Sequence, residues 1–357
     1  MPLQKLQKTG RFRKRLQQAA VVQFALLAVF LGAVIIISTG MGYIQLPPAT
    51  VVKIIFAKLS GQSNLLEGMD SIFPVVVMDV RLPRILSAAI VGAGLAISGV
   101  VFQGILLNPL ADPYTLGVSA GAAFGASLAI LFNIGMMGSY SVPLFAFIGA
   151  VVTLLFVVYL SSSSGGLSSN NLILSGIIVA AILSAGISFL KYVADEQVAV
   201  IIFWLMGSFG SKTWSDVGIT FLFILIGFLA FMFFARDMNL LSLGHRTASS
   251  LGVDTRKTTI FLLVTASLVA AICVSVSGII GFVGLLVPHM MRLLTGPDNR
   301  RLIPMSLLAG AILLLTADTI TRAVLPSEIP IGVLTALIGE PFFCYIFRKQ
   351  QRTRKVL

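Results

Sequence analysis

Chemistry needs residues of suitable type at suitable spacing, and few positions here qualify. The two histidines, His245 and His289, sit in separate segments with nothing to pair them. They do not supply the three or four converging ligands that a metal site requires. Cys273 and Cys344 lie in different apolar runs, which argues against a disulfide framework and a thiolate metal site alike. No Ser, His and Asp arrangement suggests hydrolysis, so no catalytic residue is assigned. Gly207 to Thr213 reads GSFGSKT, a superficial likeness to a phosphate loop. Its glycine-to-lysine spacing is wrong and no buried strand precedes it, which excludes nucleotide binding there.

Charges inside apolar runs carry more information, because they are costly at membrane depth. Asp318 and Glu340 are the two candidates. Either could be a proton relay of an ion-coupled carrier, or a group that caps a broken helix. Arg322 follows Asp318 by one turn, and that acid-to-base order favours an ion pair between them. Glu340 has no such neighbour. Arg81 and Arg84 flank Leu82 and Pro83 at the start of another apolar run. Two readings stand side by side: snorkelling anchors, or a recessed cationic patch for the acidic side chains of an external partner.

The elements that must hold these residues are membrane helices. Of 357 residues, 57% are hydrophobic and 11% charged, more apolar surface than a soluble fold of this size could hide. Hydrophobic runs fall near 19–37, 85–107, 114–133, 142–160, 172–190, 217–235, 260–277, 278–293, 302–321 and 330–347. Most approach the ~20 residues that cross a bilayer. The expected fold is an all-α polytopic membrane protein of about ten spans in one domain, 1–357. The net charge of +12 is concentrated at the ends and in a few loops, without aromatic interleaving. That pattern excludes nucleic acid as the reason for it and points to orientation. Lys5, Lys8, Arg11, Arg13, Lys14 and Arg15 make residues 1–18 a cytoplasmic basic tail. Arg348, Lys349, Arg352, Arg354 and Lys355 make 348–357 another. With ten spans, only Lys53, Lys58, Arg81, Arg84, Lys191, Lys212 and Arg322 of the 25 Lys and Arg residues fall outside.

Small residues form ridges in the second and third spans: Ala88, Gly92 and Ala96, then Gly121, Gly125 and Ala129. Such ridges let helices approach closely in lipid. Prolines in Asn108 to Pro113 and in Gly296-Pro297-Asp298-Asn299 break the chain between spans. Ser161 to Asn171 reads as a flexible polar linker, and Trp204 and Trp214 as an interfacial belt. Residues 236–259, RDMNLLSLGHRTASSLGVDTRKTT, form the longest basic interruption, with apolar residues near helical spacing. This predicts one or two short surface helices, either a plain connection or a docking element for a cytoplasmic partner.

Five stretches together carry a resemblance: Arg81 to Ala122 (RLPRILSAAIVGAGLAISGVVFQGILLNPLADPYTLGVSAGA), WLMGS from Trp204, LSLGHRTASSLGV from Leu241, SGIIGFVGLLVPHMMRLL from Ser277, and ADTITRAVLPSEIPIGVLTALIGEPFF from Ala317. They are similar, in order, to the permease subunits of binding-protein-dependent ABC importers for iron-siderophores, haem and cobalamin, the FecCD type. The resemblance implies a type II importer permease in a bacterial or archaeal cytoplasmic membrane, both termini cytoplasmic. It implies a homodimer with two ATPase subunits below and one substrate-binding protein or lipoprotein above. Spans two to five and seven to ten would be inverted repeats. ATP and Mg would be held by the ATPase partner, and this chain would bind no cofactor.

By the same resemblance, Arg81, Arg84 and Arg322 are binding-protein contacts. Leu243, Gly244, Ala248, Leu251 and Gly252 are ATPase-coupling residues. Ser169 and Asn170 are cytoplasmic gate residues, standing where the family more often has a Thr-Ser pair. Glu340 departs from the family, which has a small residue in G-x-P-F-F. The implied cargo is a ferric siderophore, then haem or cobalamin, with an oxyanion such as molybdate as a further possibility. The rival expectation is a secondary transporter coupled to ions through Glu340 or Asp318.

Overall fold

Proline, glycine and capping side chains cut the apolar sequence into helices, and the helices pack wherever small residues let their backbones meet. The computed structural model describes the backbone of residues 2–162, 168–323 and 328–354. Within those ranges it describes side chains from 21 to 344, residue 63 apart. The basic side chains of residues 5–15 and 349–355, and linker residues 163–167, lie outside the described residues.

The order is α1 (Pro2–Gly40), α2 (Pro48–Ser60), α3 (Ile72–Ile105), α4 (Val118–Leu131), α5 (Ser141–Ser162), α6 (Ser169–Val193) and α7 (Val198–Leu205). Then come α8 (Trp214–Phe233), α9 (Ala235–Leu241), α10 (His245–Ser250), α11 (Thr255–Ser277), α12 (Val283–Thr295), α13 (Asn299–Ala323) and α14 (Ile331–Arg354). No strand occurs among the described residues. The ten expected spans correspond to α1, α3 to α6, α8 and α11 to α14. Seven are long and apolar enough to cross a membrane, whereas α4, α12 and the Ile331–Cys344 part of α14 are shorter. Two of the short ones start at backbone breaks: Gly117 before α4 and Phe282 before α12 both have positive φ.

α3 is the axis of the bundle. Nearly every residue from Ile85 to Val101 is buried, against α13, α11, α12 and α8. The ridge read from the sequence explains its tight contact with α13. A side chain at Gly92 would collide with the carbonyl oxygen of Gly310, and one at Gly310 with that of Gly92. Gly121 of α4 and Gly149 of α5 exclude side chains from each other in the same way. In lipid such close packing is itself the main attraction between helices. Large apolar side chains such as Leu155, Ile182, Leu222 and Ile226 remain exposed on the outside of the bundle.

Several boundaries differ from the sequence reading. α1 runs unbroken from Pro2, so the basic residues 2–18 continue directly into the first span. The 236–259 segment ends earlier, because Asp254 accepts the Lys257 N–H and starts α11. The 348–357 tail is helical as far as Arg354. Each reflects helices that run past the apolar stretch, as an internally hydrogen-bonded backbone can. α2 and α7 are additional elements, and Trp204 is partly buried against the core. Trp214 is exposed, its indole N–H donating to Met78 O at 3.0 Å.

Candidate functional site

Three arginines meet at one end of the bundle, at the C-terminus of α1. Arg81 donates to Thr39 O (2.8 Å) and Ile44 O (2.6 Å), and Arg322 to Met41 O (2.6 Å) and Ser38 O (2.8 Å). A helix C-terminus leaves its last carbonyls without helical partners, and guanidinium groups satisfy them with favourable dipole electrostatics. Gly42 lies between the two guanidinium groups and a side chain there would meet both. Arg81 is 7% exposed.

Arg84 turns the other way. Its Nε and Nη2 hold both oxygens of Asp318, at 2.9–3.2 Å, and Nη2 also meets Glu328. This corrects the expected Asp318–Arg322 pair. Arg322 is drawn to the α1 carbonyls, and the planar fork of Arg84 matches the carboxylate bidentately. Asp318 is 1% exposed while Glu328 is 53% exposed, so one partner is fixed and the other faces water. Arg84, Asp318 and Glu328, with the Gly207–Phe209 backbone, line a pocket of about 260 Å³. The GSFGSKT segment contributes a wall here. In the same loop, burial pulls the Lys212 ammonium below its ordinary range.

At the other end, α9 and α10 form the predicted short helices. Ala248 is fully buried against Leu241 and Val253, while Leu243 and Leu251 are 60% and 55% exposed. Gly244 and Gly252 bracket α10 at φ of 99° and 90° with open space around them. The backbone conformation, not crowding, demands glycine there. The sequence did not reveal how this element is fastened. Asn239 Nδ2 donates to Asp298 (2.7 Å), and Asn299 donates to Asn239 Oδ1 from its backbone (2.9 Å) and side chain (2.8 Å). The Gly-Pro-Asp-Asn break had been read only as a helix stop. Asn299 begins α13 and Asp318 lies near its end, ~28 Å apart by helical rise, close to a bilayer's apolar thickness.

Ser169 and Asn170 open α6, with Ser168 Oγ capping the Asn171 N–H at 3.2 Å. Ser169 is half-buried and Asn170 exposed. They lie apart from both the arginine cluster and α10 in the chain, beside the undescribed 163–167. Elsewhere, Cys273 is buried with its thiol 3.7 Å from Val91 O, and Cys344 is exposed. Asp112 caps the turn at Pro113, accepting from Tyr114 N (3.1 Å) and Thr115 N (2.9 Å).

A groove of about 600 Å³ opens where helices are interrupted. Leu205 and Met206 end α7, Ile279 and Gly281 form the non-helical link between α11 and α12, and α14 supplies Ala336 and Glu340. Tyr114 Oη donates to Ile280 O (2.7 Å) and Gly332 N to Met206 O (3.0 Å), fixing these irregular segments to the bundle.

A bundle that is helical throughout its described elements, with broken helices around an open groove and charged anchors at its two ends, has the architecture of a membrane permease. The chain belongs to the FecCD transport family, whose model matches residues 28–349. It is 42% identical over 285 residues to the cobalamin import system permease protein BtuC of Halobacterium salinarum, covering 80% of this chain and 76% of that one. It is 36% identical over 350 residues to the Fe(3+)-citrate import system permease protein YfmE of Bacillus subtilis, covering 97% and 99%. A solved structure described as an inward-facing metal-chelate type ABC transporter matches with TM-score 0.80 and 35% identity, over 91% of this chain and 98% of that one. The protein is thus a transmembrane permease of an ABC importer. The ion-coupled rival loses Asp318, whose two oxygens are both held by Arg84.

Proposed function

We propose that this chain is the cargo-conducting subunit of an importer for a metal chelate, a ferric siderophore first and haem or cobalamin next. It works as a homodimer with both termini cytoplasmic. Two ATPase subunits bind its cytoplasmic face, carrying the ATP and Mg²⁺, and one substrate-binding protein docks outside. The observation that carries the reading is the pair of exposed leucines, Leu243 and Leu251, on either side of the short α10, in a segment fastened through Asn239 of α9 to α13. The far end of that same helix bears Asp318, the partner of Arg84.

In this account Leu243, Gly244, Leu251 and Gly252 meet the ATPase, and the buried Ala248 seats α10 beneath them. Arg84 meets an acidic side chain of the binding protein, which replaces the water-facing Glu328. Arg81 and Arg322 hold the α1 end beside it and join the docking surface when that end shifts. Ser169 and Asn170 close the cytoplasmic exit. Each partner biases a two-state bundle only as far as it prefers one state, so docking and nucleotide binding drive opposite ends of one rigid connection. The cargo passes the groove between the broken helices, where irregular backbone at membrane depth is tolerated because it lines an open cavity.

The test is uptake into proteoliposomes. Uptake that requires ATP, the ATPase subunit and the binding protein together is the expected result. Uptake driven by an ion gradient without them would overturn the reading.

A further inference from the structure

Glu340 is the one feature of the apolar groove that the transport cycle above does not use. Its depth follows from packing. Gly339 lies directly against the Phe282 side chain, and Phe282 starts the helix whose Gly284 touches Leu95 and Gly99 in the middle of α3. Glu340 therefore stands at membrane depth on the open wall of the groove, and Arg348 lies ~12 Å further along the helix by its rise. An ionisable group at that depth persists where it is paired or where it faces water. Glu340 is exposed and lines the 600 Å³ groove, and no ion pair or hydrogen bond to it occurs among the described residues. The other walls include Leu205, Met206, Ile279 and Leu337, which are apolar, and the irregular backbone at Gly281.

The geometry points to Glu340 as a charge selector for the permeating solute. A lone carboxylate on a low-dielectric wall concentrates field in the groove, attracting cations and repelling anions. The groove therefore admits chelates of positive or neutral net charge and retards anionic ones. This assignment rests on the importer reading, and it narrows the cargo from any metal chelate to the cationic or neutral kinds.

A thiol reporter in the groove tests this without knowing the cargo. Ala336 lines the groove one helical turn before Glu340, so Ala336→Cys is placed in a Cys344→Ser background, leaving only the buried Cys273. The transporter in lipid nanodiscs is treated with a cationic trimethylammonium-ethyl methanethiosulfonate and, separately, the anionic sulfonatoethyl reagent. The ratio of cationic to anionic modification rates is expected to fall about tenfold when Glu340→Gln is added, the scale of one carboxylate acting at short range in a partly hydrated site. An unchanged ratio overturns the proposal. So does failure of both reagents to reach the thiol, with and without Glu340→Gln, which would mean that a second copy of the chain or lipid covers the groove.

Uptake supplies the second measurement. A ferric trihydroxamate bearing a free ammonium group is compared with its N-succinylated, anionic counterpart through the same binding protein. The binding protein's own preference cancels when the cationic-to-anionic ratio of the wild type is divided by that of Glu340→Gln. The expected quotient is again about tenfold; a quotient of one counts against charge selection. If neither chelate is carried, the labelling ratio alone decides the proposal. Loss of ATP dependence would sink the importer reading and leave the labelling ratio untouched, so the two failures are distinguishable.

Discussion

Removing the Asp318 carboxylate leaves Arg84 as a mostly buried cation facing only the water-exposed Glu328. Breaking one side of such a pair costs more than deleting both, because the remaining charge stays uncompensated. Asp318→Asn should lower stability by roughly 3–5 kcal/mol, measured by denaturant unfolding in detergent. The double change Arg84→Met with Asp318→Leu should recover most of that loss. Equal losses in Asp318→Asn and Arg322→Met, with none in Arg84→Met, would restore the local pair that the sequence suggested. Asp318 and Arg322 share one helix face, so that pair was visible in the sequence. The actual partner is 234 positions away, and no local pattern encodes it. The three arginines were legible as a group only through the family resemblance, because Arg81 and Arg84 open one span and Arg322 closes a distant one. Their carbonyl partners on α1 were not, since backbone acceptors leave no mark in a sequence.

Helices were legible where apolar runs are long and ridges of small residues repeat. The contact of α3 with α13 gives a matched pair of tests. Gly92→Ala places a methyl group against the Gly310 carbonyl, and overpacking of this kind costs about 1–3 kcal/mol. Gly218 lies in α8 with open space about it, so Gly218→Ala should stabilise by roughly 0.5–1 kcal/mol through helix propensity alone. Thermal unfolding of the two variants should move in opposite directions. Two drops of equal size would mean that α3 and α13 do not meet at Gly92. The short elements were harder to read. α2 carries Lys53 and Lys58 among its apolar residues, and α7 follows the polar Asp195-Glu196-Gln197 turn, so neither stands out by hydropathy. The link from α9 to α13 rests on Asn239, a residue whose composition signal is that of any loop. Asn239→Ala should weaken coupling without preventing insertion, read as a lower ratio of uptake to ATP hydrolysis at unchanged membrane abundance. An unchanged ratio would remove Asn239 from the transmission path.

At the scale of the molecule, composition alone dictated membrane residence, and the order of motifs carried the family. What neither supplied is the connection between ends: one helix, α13, that begins at the coupling element and finishes at the arginine cluster. In the proposed reading, that connection lets an ATPase on one face and a binding protein on the other act on the same two states. The most direct measurement is cargo moved per ATP hydrolysed by the reconstituted complex when Leu243→Ala and Leu251→Ala are combined. The account predicts a fall of roughly tenfold or more, the size expected when interface anchors worth about 2 kcal/mol are truncated, with the subunit still inserted. Uptake per ATP equal to that of the unaltered protein would contradict it.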